Sequence, residues 1–228
     1  HTDSSAASDV YKRQTFSFAI KVQNSESSVP CVEAADLDGD GDLDVIAGSS
    51  GGDRLSWYEN LGGADSFGVR QEITNLTNSP KDVEAADLDG DGDIDLVSAS
   101  RVDDEVAWYE NLGGGSFGPQ QILSDTAMEA EQVRAVDLDG DGDLDILAGA
   151  DDDGEITWHE NLGGGNFSPE ILIDRLNNLN NIAATDIDGD STIDVLGITN
   201  SDLYVYKNLG DTAFSSKQLI TGDPLFGR

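Results

Sequence analysis

One acidic segment, repeated at a near-constant interval, constrains this chain more than any other feature. DLDGDGDLD starts at Asp36, DLDGDGDID at Asp87, DLDGDGDLD at Asp137, and an altered copy, DIDGDSTID, at Asp186. These starts lie 51, 50 and 49 residues apart. A second marker follows each copy: WYENLGG from Trp57, WYENLGGG from Trp108, WHENLGGG from Trp158 and VYKNLG from Val205. A phenylalanine comes next each time, at Phe67, Phe117, Phe167 and Phe214. A period near fifty means that one supersecondary unit is copied, and the copying governs the whole fold.

Within a unit the pattern reads as four short strands, for example residues 83–86, 94–99, 105–111 and 117–123. The segments are β-branched or aromatic and are bounded by Gly, Asn and Asp, and none has helical periodicity. Four antiparallel strands per repeat predict an all-β chain, a β-propeller of four-stranded blades. The blades are expected at 32–74, 83–123, 133–173 and 182–221, within a propeller region spanning 15–228. Phe16 precedes Val32 by the same interval that separates Phe67 from Val83. Residues 16–22 are therefore expected to be the last strand of a preceding blade, with 15–31 covering that strand and its linker. The strand left over makes the chain a fragment or open arc of a larger ring, with a closed four-bladed ring as the alternative. Residues 1–14 match nothing else in the chain, and SAASDVYKRQ resembles translated adapter sequence. They are read as a non-native or disordered tail.

The acidic segment reads as a metal loop. Asp at positions 1, 3 and 5 can converge on one point if the backbone turns sharply at the glycine in position 6. Position 7 would offer its backbone carbonyl, and position 9 a carboxylate from the next strand. Calcium takes six to eight hard oxygen ligands of this kind. The expected ligands are Asp36, Asp38, Asp40, Asp42 and Asp44, then Asp87, Asp89, Asp91, Asp93 and Asp95. Asp137, Asp139, Asp141, Asp143 and Asp145 follow, then Asp186, Asp188, Asp190, Thr192 and Asp194. One calcium per loop, about four in all, is expected. In the last copy Ser191 replaces the position-6 glycine, which marks the turn there as the point of strain. The loop is not the helix–loop–helix calcium site, because Ala47, Ser98 and Ala148 stand where that site has its glutamate.

These residues resemble the FG-GAP, or VCBS-type, repeats of integrin alpha-subunit propellers and many secreted microbial proteins. The resemblance rests on DxDGDGxxD, the ENLGG turn and the following Phe, and covers roughly residues 15–221. It implies a calcium-binding propeller, often seven-bladed, that acts in adhesion or ligand recognition in an extracellular or cell-surface setting. A glycan or protein would then be the partner. The alternatives are a non-catalytic module of a larger secreted carbohydrate-active enzyme, or a purely structural spacer.

Composition narrows the classes further. The formal charge of −34, from 46 acidic and 12 basic residues, argues against nucleic acid and anionic membrane as partners. No apolar run approaches the roughly 18 residues of a membrane span. Cys31 is the single cysteine, so no internal disulfide can form, and it reads as a small buried hydrophobe. No nucleophile, zinc or phosphate-loop motif occurs, and Glu59, Glu110 and Glu160 recur with the repeat, whereas a catalytic acid is normally unique. No enzyme activity is expected. His159, where other repeats have tyrosine, reads as a tolerated substitution, and Trp57, Trp108 and Trp158 read as packing between blades. Ligand specificity is expected where the repeats differ: the hairpins at 49–54, 101–105, 150–155 and 200–202, and the linkers at 75–81 and 124–131.

Overall fold

The computed structural model describes residues 28–63, 66–210 and 213–220. The tail 1–14 and the strand expected at 16–22 lie outside them. Sixteen strands form four antiparallel sheets of four, and no helix occurs among the described residues. The first sheet holds β1 (Cys31–Ala35), β2 (Asp44–Ser49), β3 (Arg54–Tyr58) and β4 (Gln71–Thr74). The second holds β5 (Pro80–Ala86), β6 (Asp95–Ser100), β7 (Glu105–Tyr109) and β8 (Gln121–Ser124). The third holds β9 (Ala130–Val136), β10 (Asp145–Ala150), β11 (Glu155–His159) and β12 (Ile171–Arg175). The fourth holds β13 (Leu179–Thr185), β14 (Asp194–Thr199), β15 (Leu203–Tyr206) and β16 (Gln218–Ile220). Each sheet is an up-and-down meander in chain order, as a propeller blade requires.

Several strand boundaries differ from the sequence reading, most of all the starts of the first and last strands of the second blade. The first strand of the second blade begins at Pro80, because a bulge between Pro80 and Asp82 lets pairing extend past Val83. The last strand begins at Gln121, since Phe117 makes only an isolated bridge to Asn111. The same bridge joins Asn60 to Phe67, Asn161 to Phe167 and Asn208 to Phe214.

The blades stack face to face. β1 packs on β5, β5 on β9 and β9 on β13. Three hydrophobic clusters fill the three seams. Leu37 and Trp57 meet Val83, Leu96 and Tyr109. Leu88 and Trp108 meet Val133 and Ile146. Leu138 and Trp158 meet Ile182, Val195 and Tyr206. Burial on both faces explains why β6 and β10 are buried along their whole length, with no polar alternation in DLVSAS or DILAGA. The tryptophans sit inside these seams. A Cβ on Gly115, which has a φ of +68°, would collide with the Trp57 ring of the preceding blade, and Gly165 meets Trp108 in the same way. Phe167 stands edge-on to Trp108 at 5.7 Å. Their burial leaves these rings no face for stacking a sugar.

The arc is open among the described residues. Val32 is 66% exposed, whereas its counterpart Val83 is 2% exposed under the preceding blade. At the other end Ile187 is 43% exposed, whereas its counterpart Leu138 is buried by the following blade.

Antiparallel connectivity sorts the loops. The acidic segments and the NLG turns lie at one end of every blade, and the hairpins and interblade linkers lie at the other. Cys31 starts β1 and is buried, which pushes its thiol up to about 11.

Candidate metal loops and the asparagine latch

Each acidic segment is wound by its own carboxylates. In the second loop Asp87 Oδ1 accepts the Gly90 N–H at 2.8 Å, and Oδ2 accepts that of Gly92 at 3.1 Å. Asp89 accepts from Asp91 N–H at 3.1 Å, and Asp91 from Asp93 N–H at 2.9 Å. Asp95 Oδ2 accepts from Leu88 N–H at 3.0 Å, and its Oδ1 from Asn111 N–H at 2.7 Å. The other loops repeat this pattern, and short polar side chains bonding their own backbone are what hold such turns.

The winding gathers carboxylates. Asp87, Asp89 and Asp95 place one oxygen each within 4.8 Å of one another. Asp137, Asp139 and Asp145 do the same, as do Asp186, Asp188 and Asp194, while in the first loop the group is Asp36, Asp38 and Asp40. Positions 1 and 3 thus converge in every loop. Position 9 joins them in three loops and position 5 in one. Asp44, Asp91, Asp141 and Asp190 fall outside these groups. The position-7 side chains turn toward the glycine turn, with Asp42 near Gly62 and Asp93 near Gly113.

The electrostatics are unfavourable without a counter-charge. Asp95 is fully buried, and burial pushes its carboxyl up to about 6, against the pull of two backbone N–H donors and with a further push from Asp89 and Asp91. Asp145 reaches about 6, again chiefly through burial, with Asp139 and Asp137 adding to it. Burial also raises Asp44, Asp89 and Asp139. Among the described residues no Lys or Arg pairs with the first three loops. A carboxylate has about four acceptor positions, so those already holding two N–H groups retain capacity for a cation. The donor set, all oxygen and all anionic, fits a hard divalent ion.

The fourth loop differs in an unexpected place. Ser191 takes up the left-handed turn, with φ +75° against +101° at Gly142, and its N–H still reaches Asp186 at 3.0 Å. The turn therefore survives the substitution. The Thr192 hydroxyl bonds Asp190 at 2.6 Å and holds that carboxyl below its usual range. Lys207 stands where Glu59, Glu110 and Glu160 stand in the other repeats, and its ammonium pairs with Asp188. The fourth loop thus carries a cation of its own.

The asparagine of the NLG turn is the residue that sequence reasoning missed. Asn111 Nδ2 donates to Ile94 O of its own loop at 3.0 Å and to Leu37 O of the preceding loop at 2.8 Å. Asn161 joins Leu144 O and Leu88 O at 3.0 and 2.7 Å. Asn208 joins Ile193 O and Leu138 O at 3.1 and 2.5 Å. Each amide therefore ties position 8 of one loop to position 2 of the loop before it. Among the described residues the amide of Asn60, in the first blade, donates only within its own loop, to Leu43 O. A signal was present in the sequence: Asn-Leu-Gly persists in VYKNLG, where the glutamate does not.

His159 occupies the place of Tyr58, Tyr109 and Tyr206. It is fully buried, with Nδ1 3.1 Å from Ser168 O and no partner for Nε2. Burial lowers its pKa, so the folded chain holds it neutral. An unfolded imidazole takes up a proton below about pH 6.5, so acidification favours the unfolded state. Between pH 7.5 and 5.5 the melting temperature of His159→Phe should fall less than that of the parent chain. Equal falls would show that His159 contributes nothing to acid sensitivity.

Stacked four-stranded meanders with one acidic loop per blade define a β-propeller-type repeat protein. The chain belongs to the FG-GAP-like repeat family, whose pattern matches residues 36–98, 87–148 and 137–197. Among solved structures it is similar to an Agrocybe aegerita lectin that recognises non-reducing terminal N-acetylglucosamine. The identity is 21% and the TM-score 0.62, over 83% of this chain and 51% of the lectin. It is also similar to BBS1N, solved in complex with ARL6DN, at 15% identity and a TM-score of 0.59, over 87% of this chain and 58% of that one. The chain therefore spans about half the length of these proteins, and the likeness is one of fold. No curated protein sequence matches it.

Proposed function

We propose that the chain is a calcium-stabilised, non-catalytic scaffold for recognising a glycan or protein outside the cytoplasm. The observation that carries this reading is the convergence of carboxylates once per blade at one end, with the variable loops at the other. Calcium would be held by Asp36, Asp38, Asp40, Asp42 and Asp44 in the first loop and by the corresponding residues of the other three. A divalent ion there would neutralise carboxylates that otherwise repel, and metal affinity would appear as folding stability. Family membership and the glycan-binding of the similar lectin support recognition as the role.

The test is binding of the calcium-loaded chain to glycan and protein arrays, with and without chelator. The reading predicts saturable binding that chelation abolishes. Binding to neither array would leave a structural spacer as the account. The pairing of Lys207 with Asp188 makes the fourth loop the weakest site. In Lys207→Gln, calorimetry should show the weakest calcium site tighten. An unchanged weakest site would remove Lys207 as the cause.

A further inference from the structure

We propose that the cleft between the third–fourth linker and the fourth hairpin binds one neutral sugar residue. This inference rests on the recognition reading above and gives it a location.

The cleft exists because a repeated seam is left open. In the second blade, hairpin N–H groups of Arg101 and Val102 bond the linker carbonyls of Ser79 and Asn78, both at 3.1 Å. In the third, Asp151 and Asp152 bond Glu129 O and Met128 O, at 3.1 and 3.3 Å. The first blade has the equivalent bond from Ser50 to Ser28 O, at 2.9 Å. In the fourth blade the corresponding linker carbonyls belong to Asn177 and Asn178, and no hairpin N–H reaches them among the described residues. The cause is local. Four residues separate β2 from β3, β6 from β7 and β10 from β11, but only three separate β14 from β15. The shortened hairpin, 200–202, cannot reach across.

A second substitution removes one bond from the other flank of the linker, where the Gly154 carbonyl still accepts the Leu176 N–H at 2.8 Å. Asp53 and Asp104 end their hairpins and accept the linker N–H groups of Ser79 and Glu129, at 3.3 and 2.8 Å. Gly154 occupies that place before the fourth blade and has no carboxylate to offer. What remains is a cleft of about 280 Å³, lined among others by Arg175, Asn177, Asn178, Asn200, Tyr204 and Lys217. Tyr204 is itself a departure, since Ser56, Ala107 and Thr157 hold its position in the other blades.

The lining chemistry selects the ligand. Side-chain amides and unpaired backbone carbonyls are donors and acceptors for vicinal hydroxyls, and the Tyr204 ring, with the Lys217 ammonium 5.8 Å from its centroid, forms part of the wall. The volume, at the small end for ligand pockets, suits one ring. Both cations are already spent: Arg175 pairs with Glu155, and Lys217 lies 3.0 Å from Asp174. No net positive charge is on offer, which favours a neutral sugar over an acidic one.

The experiment titrates the calcium-loaded chain with methyl glycosides of N-acetylglucosamine, galactose and mannose, following backbone amide shifts by NMR. At least one glycoside should perturb Asn178, Asn200 and Tyr204 with millimolar affinity. Tyr204→Ser, which restores the residue of the first blade, should weaken that binding at least tenfold and leave the melting temperature unchanged. Perturbations confined to other loops, or affinity unchanged in Tyr204→Ser, would overturn the cleft and leave the recognition reading intact. If none of the three glycosides binds, the cleft proposal fails. If the arrays are also empty, the recognition reading fails with it.

Discussion

Excess EGTA should lower the melting temperature of the calcium-loaded chain by roughly 20 °C or more. The size follows from linkage. Each site contributes about 2.7 kcal/mol when free calcium stands at a hundred times its dissociation constant. Four such sites contribute about 11 kcal/mol, and a chain of this size shifts by about 2–4 °C per kcal/mol. The physical source is the crowding of three carboxylates within 4.8 Å in every loop, with no Lys or Arg side chain among the described residues paired to the first three. Differential scanning calorimetry on protein verified to be metal-loaded reads this directly. Restored calcium, added back in excess of the chelator, should recover the transition.

Asn161→Ala should destabilise the calcium-loaded chain by about 3 kcal/mol, because it strands one buried and one half-buried carbonyl and not merely one bond. Its amide serves Leu144 O in its own blade and Leu88 O in the blade before it. Both carbonyls lie inside acidic loops, at position 8 of one and position 2 of the other. Calcium binding should therefore weaken in the second and third loops together while the first keeps its affinity. Asn60→Ala is the internal control. Among the described residues the Asn60 amide donates only to Leu43 O, and Asn60 is partly exposed, so its loss should cost about 1 kcal/mol. Urea unfolding separates the two. Equal costs would mean that the cross-blade bond carries no stability.

The repeat period, the four-stranded unit and the acidic loops were legible because each is a local pattern stated several times. Asp87, Asp89 and Asp95 are three letters at fixed spacing, and the turn that gathers them is built from their own backbone bonds. What was not legible depends on the neighbouring blade. Asn111 contacts Leu37 O across 74 residues of sequence, and nothing in the spacing of either residue announces the other. Lys207 was visible as a change from Glu to Lys, but its contact with Asp188 appears only when the turn folds back over the loop. The strain anticipated at Ser191 did not break the turn, because a single left-handed residue held by its N–H bond to Asp186 is tolerated. The fourth cleft shows the same limit. The hairpin at 200–202 could be seen to differ, whereas the unmade bonds to Asn177 and Asn178 could not.

The central claim is that each acidic loop is a calcium site, and calcium stoichiometry tests it most directly. The demetallated chain would be titrated by isothermal calorimetry, with bound calcium counted independently by elemental analysis after dialysis. About four ions per chain are predicted, three tight and one weaker, with Asp87→Ala removing one of the tight ions. A chain that takes up no calcium at saturation, or whose uptake is unaffected by Asp87→Ala, would contradict the account.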